Sequence, residues 1–186
     1  STNELVISWN ATLVYNLYAA QAVAKNSFAR REGVRTSVKL ILGGAYNVGE
    51  GQMTNALRTN GALTNHFSGI AIPSNAVDSI NIEIRNAPTA AASSIRRHQP
   101  AWLLRDGTIR AFTDTTKAFV EFPTTAGEYY IVVRHRSHLA IMSVSARLLS
   151  PAMPEICDFT TSQSSAYGTD PLMPIGTIFA LHPGDV

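Results

Sequence analysis

The chain has 186 residues, enough for one ordinary domain or for one domain with an appendage. Apolar residues make up 45%, which supports a true core, whereas charged residues make up only 15%, so Asn, Thr, Ser and Gln must carry much of the surface. The net charge of +2, with no basic stripe interleaved with aromatics, argues against nucleic acid, and the single cysteine rules out an internal disulfide.

Residues 1–35 read as a region of their own. Leu5 to Ala24 contains no charged residue. ELVISW has strand character, and a helix is expected after it, with Asn10 as N-cap, Arg30 and Arg31 in the last turn and Gly33 as the stop. Leu13, Leu17, Ala20 and Ala24 mark one face, widened by Val14, Tyr18 and Ala22. A helix apolar nearly all round is a buried helix. Ser8, Asn10, Thr12, Asn16 and Gln21 interrupt it too often for a membrane span. No basic stretch leads a compact apolar run, so no signal peptide is expected. The segment is read as an assembly element, buried in its own domain or in a neighbouring subunit, with Leu5, Ile7, Trp9, Leu13, Leu17, Tyr18, Val23 and Phe28 as its interface.

From Thr36 onward the pattern is β. SVKLIL (37–42) is a strand. GGAYNVGEGQMTNALRTNGALTNHF (43–67) is a long loop with a helical turn. SINIEIRN alternates, so Ile80, Ile82 and Ile84 face inward and Asn81, Glu83 and Arg85 outward. In AWLLRDGTIRAF, Asp106 and Gly107 make a two-residue hairpin turn, which puts Trp102, Leu104, Ile109 and Ala111 on one face. KAFVEFP is the next strand, ended by Pro123. TTAGEYYIVVRHR follows and turns at Ser137-His138 into LAIMSVSARLL. EICDFT closes the set, with Cys157 as a buried thiol behaving as a small hydrophobe. Seven or eight short strands at this spacing predict a mainly β fold, an antiparallel sandwich of immunoglobulin-like or transthyretin-like type over 36–160, preceded by the hydrophobic helix. Residues 161–186 read as an irregular tail along the surface.

Little in the sequence points to a reaction. There is no nucleophile elbow, phosphate-binding glycine pattern or zinc-binding helix. His135 and His138 form an H-x-x-H pair, with no second pair and no acidic ligand nearby in sequence, so no metal is expected there. On GEYYIVVRHR, Tyr129, Ile131, Val133 and His135 share one face, and Tyr130, Val132, Arg134 and Arg136 the other. With both faces apolar as far as Val133, this is a central strand. The polar cluster Arg134, His135, Arg136 and His138 at its end reads as a clamp, the arginines bonding loop carbonyls or carboxylates such as Glu83. Asp185 has the place of a first ligand in a D-x-[DN]-x-[DN]-G calcium loop. The expectation is therefore no cofactor, with calcium at Asp185 as the one candidate.

Several stretches in order resemble a β-sandwich module of secreted and surface proteins of Bacteroidetes and related bacteria. VKLILGGAYN and MTNALRTNGAL are similar to its opening strand and loop, VDSINIEIRNA to its V-D-W-V-x-V-E-L-R-D strand, and LLRDGTI to its Q-R-D-G-x-V hairpin. AGEYYIVVRHRSHLAIMS resembles its G-x-Y-Y-V-V-V-R-H-R-N-H-L-x-x-M signature, and DFTTSQSSAYGTD its D-F-T…Y-G-T-N close. GTIFALHPGDV is similar to the stretch where a dockerin-like calcium segment starts in that family. The resemblance covers roughly 36–186 and implies an exported, non-catalytic part of a surface or extracellular assembly. The expectation is a homo-oligomer or polymer that assembles through residues 1–35 as a filament, sheath or surface layer, burying roughly 1,000 Å2 or more per contact. The alternative is an adhesion module binding a surface polysaccharide or another polymer.

Overall fold

The computed structural model describes residues 33–154 and 156–184. The expected N-terminal strand and helix therefore lie outside the described residues. In chain order the elements are β1 (Val34–Lys39), a 3-10 turn (Gly43–Ala45), β2 (Tyr46–Asn47), β3 (Gln52–Met53), α1 (Ala56–Thr59) and α2 (Ala62–His66). There follow β4 (Ala76–Arg85), β5 (Arg96–Leu104), β6 (Ile109–Ala111), β7 (Val120–Phe122) and β8 (Gly127–His135). The chain continues with β9 (His138–Met142), β10 (Arg147–Leu149), β11 (Ile156–Asp158), a 3-10 turn (Gln163–Ser165), β12 (Met173–Ile175) and β13 (Ile178–Ala180).

The architecture is mainly β and sandwich-like, as the alternation predicts. A six-stranded sheet runs β10-β8-β4-β5-β6, with β9 also paired to β8, and a three-stranded sheet runs β11-β1-β7. The inward faces of the two sheets meet in one core. Ile80, Ile82 and Ile84 of β4, Leu103 of β5 and Tyr129, Ile131 and Val133 of β8 pack with Val34 and Val38 of β1 and Phe122 of β7. Ile82, Ile84, Leu103 and Phe122 are fully buried, each contributing on the order of 2 kcal/mol relative to exposure. One pairing departs from the antiparallel expectation: β1 and β11 run parallel, with Val38 opposite Cys157. Cys157 is buried as predicted, and burial pushes its thiol up to about 11.

Three local expectations are corrected. The first concerns the Asp106-Gly107 hairpin. The Leu104 amide donates to Thr108 O, and the Gly107 amide to Leu104 O, so the loop holds three residues, with Gly107 at φ +85°. This is a turn closed by a left-handed glycine, and it shifts the ladder by one place. Leu103 pairs with Ile109 and Ala101 with Ala111, so Ile109 and Ala111 share a face with these residues and not with Trp102 and Leu104. Trp102 and Leu104 face away from the main core into a second, smaller one. There Trp102 stacks on Phe112 at 4.5 Å and meets Phe67 edge-on at 5.0 Å, under Leu63 of α2.

The second concerns LAIMSVSARLL, which is two strands. The break lies at Ser143, whose Oγ accepts the Ile131 amide and donates to Ser145 O, replacing a ladder bond with a side chain. The turn before it is Arg136-Ser137, because His135 pairs with His138. The third concerns the tail, which contributes to the core. Beyond residue 161 the hairpin of β12 and β13 forms, and Leu172, Ala180 and Leu181 are fully buried.

Candidate functional site

Two carboxylates on β4 organise the polar residues of the molecule, one on each face of the strand. Glu83 is the clearest departure from the sequence reading, which placed it outward in water: its side chain is completely buried. The sheet register explains how. Glu83 pairs with His98 of β5 and Val132 of β8, so Arg96 and Arg134 reach it from the two diagonals, and Arg85 flanks it two residues along β4. Arg96 Nε donates to Oε1 at 3.0 Å and Arg134 Nε to Oε2 at 3.3 Å. Arg85 Nε lies 3.5 Å from Oε1, and His98 Nδ1 3.9 Å from Oε2. Burial alone pushes this carboxyl up; the Arg96 hydrogen bond, the charges of Arg85 and Arg96 and the Arg134 bond reverse the effect and hold it below the usual carboxylate range. Arg134 thus clamps Glu83, as expected from the sequence.

Asp78 sits on the opposite face, where the β4–β5 ladder shifts register between Ala76 and Asp78. Its Oδ1 accepts the Ser79 amide at 2.8 Å. Its Oδ2 receives Arg136 Nη2 at 2.8 Å and Nε at 3.1 Å, and lies 3.1 Å from His135 Nε2. Burial raises the carboxyl's pKa, but the His135 hydrogen bond, the Ser79 amide and the Arg136 charge outweigh it and leave the carboxyl below its ordinary value. Arg136 therefore grips Asp78, a partner with no sequence signal except its place at the edge of an apolar run. His135 Nδ1 and His138 Nδ1 are 3.0 Å apart. Burial and the neighbouring His135 lower His138 to about 4, so it is neutral at physiological pH.

The order Ser137, His135, Asp78 is that of a hydrolytic triad: Ser137 Oγ lies 3.3 Å from His135 Nδ1. The surroundings oppose that chemistry. The same Nδ1 faces His138 and the Ser137 amide, the other nitrogen is held by Asp78, and the His135 side chain is 3% exposed. Neither nitrogen is open to a substrate. The tail closes over the turn: the Gly184 amide donates to Ser137 O and the Leu139 amide to His182 O. Among the described residues no group of three or more His, Cys, Asp or Glu is arranged to hold a metal.

Arg134, His135, Arg136 and His138 are thus not one cluster but parts of two, Arg134 on the Glu83 face and the other three around Asp78. The expected interface residues Leu5, Ile7, Trp9, Leu13, Leu17, Tyr18, Val23 and Phe28, and the calcium candidate Asp185, lie outside the described residues. Among the described residues no helix is long and apolar enough to cross a membrane.

A groove of about 530 Å3 opens elsewhere, lined by Arg35, Ile131, Leu148, Leu149, Met153 and Pro154 among others. β10 ends the six-stranded sheet and β11 ends the three-stranded one, and the chain between them passes along this groove. Three apolar side chains of this stretch stand in water: Leu148 at 76% exposure, Met153 at 74% and Ile156 at 51%. No protein-family model, curated protein or solved structure matches the chain.

Proposed function

We propose that this protein is a non-catalytic, exported structural subunit of an extracellular filament, sheath or surface layer, each copy receiving the N-terminal segment of the next. The observation that carries this reading is the groove along β10 and the segment after it, lined by the exposed Leu148 and Met153, with Ile156 of β11 exposed further along the chain. Strands that end a sheet have unpaired backbone groups and invite a further strand. Apolar side chains beside such an edge add the pockets that alternate residues of an incoming strand fill. The strand-like ELVISW that leads into the chargeless stretch, with Leu5, Ile7 and Trp9 alternating, has the pattern of such an occupant. Head-to-tail contacts of this kind grow as filaments where the rotation from one copy to the next does not close a ring. Both oxygens of Asp78 and of Glu83 are engaged within the sandwich, which supports a structural role for both carboxylates.

The test uses two variants of the full chain. One carries Leu5→Asp and Ile7→Asp in the donor segment, the other Leu148→Asp and Met153→Asp at the groove. Each alone should remain monomeric by sedimentation and show no fibres by electron microscopy. Mixed, they should form a one-to-one dimer that goes no further, since one retains a groove and the other a segment. Wild-type assembly by either variant, or a mixture that stays monomeric, refutes the reading.

The alternative, a module that binds a glycan or other polymer, draws on a different surface, the face around Glu83.

A further inference from the structure

Three guanidinium groups against one carboxylate leave a surplus of two positive charges around Glu83. Arg85 and Arg96 are directly opposite each other in the ladder, a like-charge pairing that costs stability unless an anion relieves it. Glu83 relieves only part of it. Arg96 and Arg134 each commit their Nε to this carboxylate, and neither makes a second side-chain bond among the described residues. Their side chains are 41% and 47% exposed.

Holding a guanidinium by its Nε fixes the plane of the group and leaves the Nη1–Nη2 edge to bind in a fork. Glu83, fully buried, therefore positions two forks that approach one carboxylate from strands on either side of it. We propose that this face binds the carboxylate or sulfate groups of an acidic polysaccharide, with Arg96 and Arg134 as contact residues and Glu83 as their positioning residue. The inference deepens the polymer-binding alternative and does not depend on assembly.

The surroundings favour this class of ligand. The charge lies on an exposed sheet face beside Asn81 and Pro100, so an extended chain can lie across it. A single-stranded nucleic acid would call for several stacking aromatics along a basic track, whereas the rings beside this cluster are a half-buried Tyr130 opposite Arg85 and the imidazole of His98. An interface with a folded protein would have an apolar centre, and here the centre is a charged cluster.

The experiment measures binding of the full chain to heparin (sulfated) and polygalacturonate (carboxylated) at low and high salt. Neutral dextran and double-stranded DNA serve as comparisons. Arg96→Gln with Arg134→Gln should weaken binding to at least one of the two polyanions by about tenfold or more, as the loss of charge-assisted forks requires. Arg58→Gln with Lys117→Gln removes the same net charge elsewhere and should leave the affinity unchanged. Far-ultraviolet circular dichroism and a thermal melt establish that both double variants are folded. The two polyanion arms separate sulfate from carboxylate recognition. Equal weakening by both double variants would reduce the effect to net charge and overturn the proposal. So would DNA binding as tight as either polyanion, or no binding of either polyanion at low salt. Binding of dextran alone would retain a glycan-binding role but overturn this site.

Discussion

Glu83→Gln removes one charge and almost no volume, so it isolates what the carboxylate does among its three arginines. Breaking a buried ion pair by removing one partner costs about 3–5 kcal/mol, because the other charge is left uncompensated. Two of the three partners here are 41% and 47% exposed, so water takes up part of their charge, and Gln keeps one carbonyl to accept from Arg96 or Arg134. The expected loss is therefore lower, about 2–3 kcal/mol at pH 7, or roughly 4–12 °C in melting temperature for a domain of this size. The pH dependence is the sharper test. The folded-state pKa of Glu83 is depressed, so its contribution is present above the unfolded pKa and is lost as pH falls through the folded value. Urea unfolding of both proteins should show a constant difference from pH 7 to pH 5 that shrinks below about pH 4, where carboxylates protonate. A difference that stays constant down to pH 3 would mean that Gln disturbs packing and not charge, and the account of the cluster would fail.

Other outcomes follow from the same structure. Gly107→Ala should cost about 2 kcal/mol or more, since a residue at φ +85° is strained and the added Cβ would stand 2.7 Å from Leu40 O; circular dichroism melts check it. Trp102→Ala should cost about 3–5 kcal/mol and loosen α1 and α2, seen as faster amide exchange in residues 56–66 with the β8 amides still protected. Because the pKa of His138 is lowered to about 4, the unfolded chain binds a proton there first, so stability should fall as pH drops from 6.5 toward 4, by about 1–2 kcal/mol once solvent screening of this partly exposed ring is counted. His138→Gln should flatten that part of the profile, and an unchanged slope would contradict it.

How much was legible in the sequence depended on the range of the interaction. The isoleucines of β4 and the long apolar run of β8 declared themselves, because burial repeats with the strand period. The Asp106-Gly107 turn was visible, but its length was not. A two-residue and a three-residue loop both need a left-handed glycine, and the choice rests on contacts far away: Gly107 O accepts the Leu40 amide. Glu83 was misplaced because alternation assigns a charged residue to solvent, whereas its cover comes from diagonal neighbours on two other strands. Asp78 carries no local signal for the same reason: Arg136 and His135 reach it from nearly 60 residues away. The groove is assembled from β10, the segments on either side of it, and single residues of β1 and β8, and no local pattern announces it.

The parallel pairing of β1 with β11 sets the order in which the molecule can form. Ser37 must wait for Ile156, so one side of the first described strand has no partner until most of the chain has been made. Closing so long a loop before any contact rewards it places the protein among slow folders, in the millisecond-to-second range typical of β sandwiches, on the order of a thousandfold behind helical bundles. During that interval Ser37 to Lys39 presents an unpaired ladder to every other nascent copy. This late pairing is therefore one on which misassembly competes with folding, and weak pairing at Ile156–Asp158 would show first as lower yield and only later as lower stability.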